Sequence, residues 1–529
     1  MRASALPTAA GGYALGLLAG LVSLWVTGAW SAGFSGADEP AHFLNTWFVS
    51  LYARQALGQN PLAYATEFYL HYPKLSIGHW PPAYYGLISP VFWVLPASSK
   101  TALAVNLLVS ALPGLGIAWL LHRLAGRTAA LAGAALWALA PLTLEGFAFF
   151  MLDQPLAACA FAAAMAWAAF RNDPRLMWVL LFSCLTAVAI LIKGNGWLLV
   201  FVPPLHIALT AGWRMLRDWR LWAAAALGAL LVGPWYAATA GISADGFNYS
   251  PGPAYAVHAL LFNLEALAAN LGLALPLAAW GVAAEWRRRR DDARRWSLVA
   301  ACVALLIASL ILQSLVPVDL DARYMAPAMP GCAVLAILGG LDLLERLPRL
   351  AALAALLLLV PGVVHLAERE PKLGFRMEEA SAGAVGAWLV DGGSAAEGAF
   401  TAAMAVRDPA LRDYAVRGSK LLAESDFMGR GYRSKFSAPE PVLGELRRLG
   451  IGGVVIAGRP GVPPEPHTAL LRDALRSPGS GYRLAAVLPF RGRPGATEVY
   501  RADRPPTPNA AAIRALGVPE KLVRAEVRP

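Results

Sequence analysis

Asp38 and Glu39 stand side by side in FSGADEPAHFLNTW (34–47), directly after the first long apolar run of the chain, with His42 one turn further on. Adjacent carboxylates there fit a general base or a phosphate–metal ligand at a membrane surface. They equally fit a plain helix start, an acidic cap followed by Pro40 in the first turn. Asp153, in FFMLDQP (149–155), offers the same two readings, with Pro155 behind it. Lys193, in LIKGNGW (191–197), is either a lysine snorkelling to the interface or a cation for an anionic group. Gly194 and Gly196 beside it would let an anion approach the backbone. In VDLDARYMAPAMP (318–330), Arg323 can grip a phosphate bidentately next to Tyr324, or pair internally with Asp319 or Asp321. HYPKLSIGHWPPAYY (71–85) adds His79 and several aromatics, which serve as interfacial anchors or as a platform for a sugar ring. Two acidic turns and two cationic turns on one membrane face would suit a reaction in which an acceptor loses a proton and an anion leaves.

Those turns have to be held by helices, because lipid cannot satisfy an open backbone and about 20 apolar residues are needed to cross it. The hydrophobic runs predict eleven spans: 13–30, 101–121, 128–145, 155–170, 176–192, 196–211, 220–237, 267–283, 296–316, 325–343 and 349–366. AYYGLISPVFWVLP (83–96) is too short between its prolines and reads as an interfacial or re-entrant helix. With Arg2 inside, strict alternation then puts every arginine-rich loop inside: 123–127, 171–175, 214–220, 287–295 and 346–349. The same alternation puts Asp38, His79, Asp153, Lys193, Arg323 and everything after residue 370 outside. The expected fold class is a polytopic α-helical membrane protein with a C-terminal soluble α/β domain. Its expected parts are a transmembrane domain over 1–369 containing the long external loop 31–100, an external α/β domain over 370–503, and a tail over 504–529. In the α/β domain, 441–450 reads as an amphipathic helix, and 451–458, 482–490 and 497–503 read as strands.

Composition agrees. The 529 residues are 57% hydrophobic and only 15% charged, against about 25% charged in ordinary soluble domains, and mean hydropathy is +0.50. The net charge of +11 is spread over short loops between apolar runs, so it sets orientation and argues against a nucleic-acid partner. Cys159, Cys184, Cys302 and Cys332 lie in apolar segments without CxxC spacing and read as small core residues. The N-terminal run lacks a small-residue cleavage site and reads as a retained first span. Richness in Ala, Arg and Gly points to a GC-rich bacterium, hence to its plasma membrane with the C-terminal domain in the periplasm or cell-wall space.

The order and spacing of these five stretches resemble the GT-C membrane glycosyltransferases, in particular the protein O-mannosyltransferases and the lipid A aminoarabinose transferases. The resemblance covers the membrane region to about residue 366. It implies a sugar donor carried on polyprenyl phosphate, an extracytoplasmic acceptor that is a protein, lipid or glycan, and inversion at the anomeric carbon. Asp38 matches the family's catalytic acidic residue after the first span and Asp153 its second acidic position. Lys193 matches a recurring lysine–glycine turn, and Arg323 and Tyr324 the Arg-Tyr of a later loop. Glu39 and His79 join them as substrate contacts. The sequence departs from the pattern where many relatives carry Lys or His directly before Pro-Pro, since Trp80 stands there. A divalent cation, Mg²⁺ or Mn²⁺, on Asp38, Asp153 and an external His or Asp is an alternative use of the same residues. A transporter or flippase for a lipid-linked or anionic substrate is the alternative function.

Overall fold

The structure, a computed structural model, describes residues 5–244, 247–347, 351–425, 430–458 and 461–516. Arg2, Arg349 and the part of the expected tail beyond 516 lie outside the described residues. The chain forms two compact units. One comprises Met1–Val26, Gly78–Tyr84 and Ala104–Arg369, the other Thr27–Ile77, Tyr85–Leu103 and Glu370–Pro529. The long loop expected to belong with the transmembrane helices therefore groups mostly with the C-terminal domain.

Among the described residues six helices are long and apolar enough to cross a membrane: Leu6–Val26, Ser99–Ala125, Trp219–Thr239, Pro253–Leu271, Ala293–Leu315 and Ala322–Arg346. The bent pair Arg127–Ala138 and Pro141–Ala148 would make a seventh. Several expected spans are thus interrupted rather than continuous. The 128–145 span turns by 62°, because Ala140 precedes Pro141 and is driven into the extended region (φ −62°, ψ 136°). The 196–211 span opens as a 3₁₀ turn over Gly194–Val200 before Val202–Leu209. The 267–283 span is broken at Gly272 (φ 51°), between Pro253–Leu271 and Ala274–Arg288. His258, Asn263 and Glu265 had hidden the first of those two helices from a hydropathy reading. Residues 83–96 form two short helices, Ala83–Ile88 and Val91–Val94, neither long enough to cross. Cys302 and Cys332 are buried, whereas Cys184 is exposed.

Within this first unit the two helix ends differ in chemistry. At one end Arg295 donates to Glu285 and to the Leu124 carbonyl, both at 2.6 Å. Nearby, Asn172 reaches the Arg294 carbonyl (3.2 Å) and Trp296 the Leu209 carbonyl (3.1 Å). The arginine-rich loops near 123, 171, 214 and 287 are thereby gathered together. Asp153 opens the helix Asp153–Asn172 at its other end. Lys193 follows the end of Leu176–Ile192 that lies opposite Arg175.

The second unit is built on a five-stranded sheet. Its strands are β1 (Ala387–Asp391), β2 (Tyr414–Arg417), β5 (Ile451–Ala457), β6 (Tyr482–Pro489) and β7 (Ala496–Ala502); β3 (Ala423–Glu424) and β4 (Arg433–Ser434) form a separate ladder. The order is β2-β1-β5-β7-β6, with β2, β1 and β5 parallel and β7 and β6 antiparallel. The helix Pro439–Leu449 buries Val442, Leu443, Leu446 and Leu449 against the sheet, an apolar stripe at helical spacing. It stops at Gly450 (φ 68°), where a Cβ would come within 2.2 Å of the Thr507 carbonyl. That same contact shows the segment expected to be a tail packing back on the domain as far as Ile513, which is buried.

The helices Glu39–Leu51 and Pro61–His71 belong to this unit because their polar tips bond to it. Trp47 Nε1 donates to the Ala405 carbonyl (3.0 Å), and Tyr72 Oη to Asp408 Oδ2 (2.8 Å). His71 stacks on Tyr414 at 4.1 Å. Glu39, expected among substrate contacts, is fully buried. It accepts from Lys372 Nζ at 3.2 Å and from the amides of Ser35 and Gly36 at 3.0 and 2.8 Å, so it fixes the turn that carries Asp38. Removing one partner of a buried pair leaves an uncompensated charge. Glu39→Gln is expected to lower stability by about 3–5 kcal/mol, and Glu39→Gln with Lys372→Met by clearly less, measured by thermal unfolding of the full protein in detergent. Equal losses in the two variants would refute this.

Candidate active site

The turns singled out in the sequence separate into two groups. The first unit joins Asp153, Lys193, Arg323 and Tyr324. Asp153 is the first helical residue and does not act as a cap; the N-cap position is Leu152. A carboxylate there gains from the helix dipole. Its Oδ1 accepts from Lys193 Nζ at 2.6 Å, with both side chains more than nine-tenths buried. Lys193 can reach it because the helix Leu176–Ile192 ends at Lys193, which is extended (φ −156°, ψ 142°). Gly196 makes that break tight: a Cβ there would lie 2.4 Å from the Ala189 carbonyl carbon. The space at Gly196 is thus used by the protein's own backbone, whereas a Cβ at Gly194 would meet only Tyr236 Oη, at 3.7 Å.

Tyr324 holds the cations. Lys193 Nζ lies 4.5 Å and the Arg323 guanidinium 5.5 Å from its ring centroid. Arg323 also makes the internal pair anticipated as its alternative, with Asp321 at 2.9 Å, and one Nη reaches Met151 Sδ at 3.9 Å. Burial raises the Asp321 carboxyl above its usual range against the opposing pull of Arg323. Asp153 Oδ2 and Asn195 Nδ2 are buried and have no hydrogen-bond partner.

His79 lies in the same unit, edge-on to Trp80 at 5.0 Å. Its segment is tied to the Asp153 turn by Tyr84, one of the aromatics of 71–85, and by Asn106, which the sequence did not single out. Tyr84 Oη donates to Asn106 Oδ1 (2.7 Å), and Asn106 Nδ2 to the Phe149 carbonyl (3.1 Å). The only sequence signal for this link was a lone asparagine within the apolar run 101–121.

Asp38 belongs to the second unit. It occupies the N-cap position of Glu39–Leu51, but its side chain makes no capping bond. Lys74 approaches the same helix start: a Cβ on Gly398 would come within 3.0 Å of Pro40 and 3.1 Å of Lys74 Cε. Lys74 Nζ donates to Ser394 Oγ at 2.6 Å. Burial, helped by Arg417 and Lys420 and opposed by Asp38 and Glu397, brings Lys74 down to about 8. The unfolded chain keeps an ordinary lysine, so between about pH 8 and 10.5 the unfolded state holds the additional proton and folding gains stability as pH rises. The thermal midpoint of the wild type, taken relative to Lys74→Met, is expected to climb from pH 7.5 to about 10. A difference that stays constant over that range would contradict the assignment.

Among the described residues no three His, Cys, Asp or Glu side chains are grouped to hold a metal ion.

A bundle of interrupted apolar helices with a buried carboxylate–ammonium pair and a half-buried guanidinium at one end, together with an α/β domain, defines a multi-pass membrane protein resembling the GT-C glycosyltransferases. Residues 79–237 match the family described as dolichyl-phosphate-mannose-protein mannosyltransferase. No curated protein matches the sequence. The fold is similar to that of ArnT from Cupriavidus metallidurans in its apo state, with a TM-score of 0.55 at 14% identity over 95% of this chain and 98% of that one. ArnT from the same organism bound to undecaprenyl phosphate gives 0.54 at 14% identity, over 92% and 97%.

Proposed function

We propose that the protein is a glycosyltransferase that moves a sugar from a polyprenyl-phosphate donor to an extracytoplasmic acceptor with inversion. The observation that carries this reading is the buried Asp153–Lys193 pair with the half-buried Arg323 and Tyr324 beside it, on a fold shared with a protein crystallised with undecaprenyl phosphate. The family match over 79–237 supports the reaction class.

In this reading Asp38 takes the proton of the acceptor hydroxyl as its oxygen attacks the anomeric carbon. The bond from that carbon to the phosphate oxygen breaks, and the electron pair leaves with polyprenyl phosphate. A phosphate monoester is a good leaving group, so what it needs is positive charge, which Lys193 and Arg323 supply, and His79 is assigned to the same task. Asp153 keeps the Lys193 ammonium in place and orients the acceptor or the sugar. The arginine-rich helix ends face the cytoplasm of a bacterium, which sets the reaction on the outer face of the plasma membrane.

The test is transfer in proteoliposomes from undecaprenyl phosphate bearing a radiolabelled sugar to a panel of protein, lipid A and glycan acceptors. Label in an acceptor, with stoichiometric release of undecaprenyl phosphate, is the expected result. Movement of intact labelled lipid between leaflets without transfer would replace this reading by the flippase.

A further inference from the structure

Buried polar atoms in folded proteins nearly always have a partner, so those that lack one mark a site waiting for something. Around the candidate active site the orphans include Asp153 Oδ2, Asn195 Nδ2 and Gln313 Nε2. Gln313 stands third in ILQS (311–314), a polar interruption in the apolar helix Ala293–Leu315, and is only 4% exposed.

The helices place it. Ala293–Leu315 packs antiparallel on Asp153–Asn172, pinned at the arginine end by the Asn172 to Arg294 bond. Nineteen residues separate Asp153 from Asn172, and nineteen separate Arg294 from Gln313. At 1.5 Å per residue both stretches rise about 28 Å, so Gln313 lies level with Asp153. The chain continuing from Leu315 returns Arg323 to Met151, two residues before Asp153, which fixes the other end. Asn195 follows Lys193, whose ammonium Asp153 already binds.

We propose that Gln313 and Asn195, with the second oxygen of Asp153, read the hydroxyl groups of the donor sugar, an inference that rests on the donor assigned above. The chemistry selects a polyol. Two amide N–H donors need acceptors and one carboxylate oxygen needs a donor, and a sugar hydroxyl is both at once. A phosphate dianion would satisfy the amides but has no proton for Asp153 Oδ2. The phosphate therefore belongs with Lys193 and Arg323, and the ring with the orphan set.

The experiment uses the full protein in detergent, with undecaprenyl phosphate, undecaprenyl phosphomannose and undecaprenyl phospho-aminoarabinose as probes. Gln313→Leu keeps the volume and removes the orphan donor. Its ligand-free thermal midpoint is expected to match or exceed that of the wild type, because a buried unsatisfied group has been deleted. Affinity for the glycosylated lipid that the wild type prefers is expected to fall at least tenfold, and affinity for bare undecaprenyl phosphate to stay within twofold. Asn195→Leu is expected to act in the same direction. A lowered midpoint with unchanged sugar-lipid affinity, or equal weakening of bare and glycosylated lipids, would overturn the inference. So would a wild type that binds bare and glycosylated lipids equally well, a result that leaves the proposed donor carrier standing. A wild type that binds none of the three lipids would remove that carrier and this inference with it.

Discussion

Replacing Asp38 by asparagine is expected to reduce sugar transfer by about a hundred- to ten-thousand-fold, the range of a lost general base. Asparagine has the same shape but cannot accept the acceptor's proton. The structure makes this a clean test in one respect. The Asp38 side chain makes no capping bond to its own helix, so the substitution removes no amide partner from the helix start. The turn that carries it is held instead by Glu39, through the Ser35 and Gly36 amides and Lys372. Its attraction to Lys74 is lost, so the thermal midpoint of Asp38→Asn should fall, but by less than that of Glu39→Gln, and the affinity for bare undecaprenyl phosphate should be unchanged. Transfer at the wild-type rate would take Asp38 out of the chemistry. A large fall in midpoint would return it to the role of a structural carboxylate.

The second large effect is expected at Lys193 and separates structure from catalysis. Lys193→Met alone leaves Asp153 as a buried carboxylate without its counter-ion, which typically costs about 3–5 kcal/mol. It also removes a cation from the leaving group, for which a loss of roughly a hundred- to a thousandfold in rate is expected. Combining it with Asp153→Asn makes the pair neutral. The double variant should recover most of the stability, because replacing a buried ion pair by neutral groups of similar volume is often close to neutral. It should recover none of the transfer. Melting curves and transfer rates measured on the same preparations give both numbers. If transfer returns with stability, the pair merely supports the fold, and the leaving phosphate must find its charge elsewhere, with Arg323 the first candidate.

Much of the bundle was legible because lipid imposes a single strong rule: an apolar run of sufficient length is a helix. Leu6–Val26, Trp219–Ala244 and Ala293–Leu315 follow it closely. The rule fails where a helix carries polar residues or is broken. Pro253–Leu271 was missed because Asn263 and Glu265 dilute its hydropathy, and the bend at Ala140 depends on one extended residue before a proline. In the α/β domain the helix Pro439–Leu449 and strands β5, β6 and β7 could be read from periodicity. Strands β1 and β2 could not: β1 is five buried residues, AWLVD, without alternation. That is how an interior parallel strand covered on both faces looks in sequence.

The sequence by itself determined the class of molecule, the positions of the acidic and cationic turns, and the order in which they occur. Those follow from composition and spacing, which are properties of single segments. Only the tertiary structure decided what each carboxylate does. Asp38 and Glu39 are neighbours in sequence, yet Glu39 is consumed by Lys372, 333 residues away, while Asp38 acts on Lys74 and does not cap its own helix. Asp153 and Lys193 form a pair at 2.6 Å across 40 residues, and Tyr324 joins them from further still. The reason is the short range of hydrogen bonds and of screened charge. A side chain's role is set by the few groups within about 4 Å of it, and for a buried group those come from elsewhere in the chain.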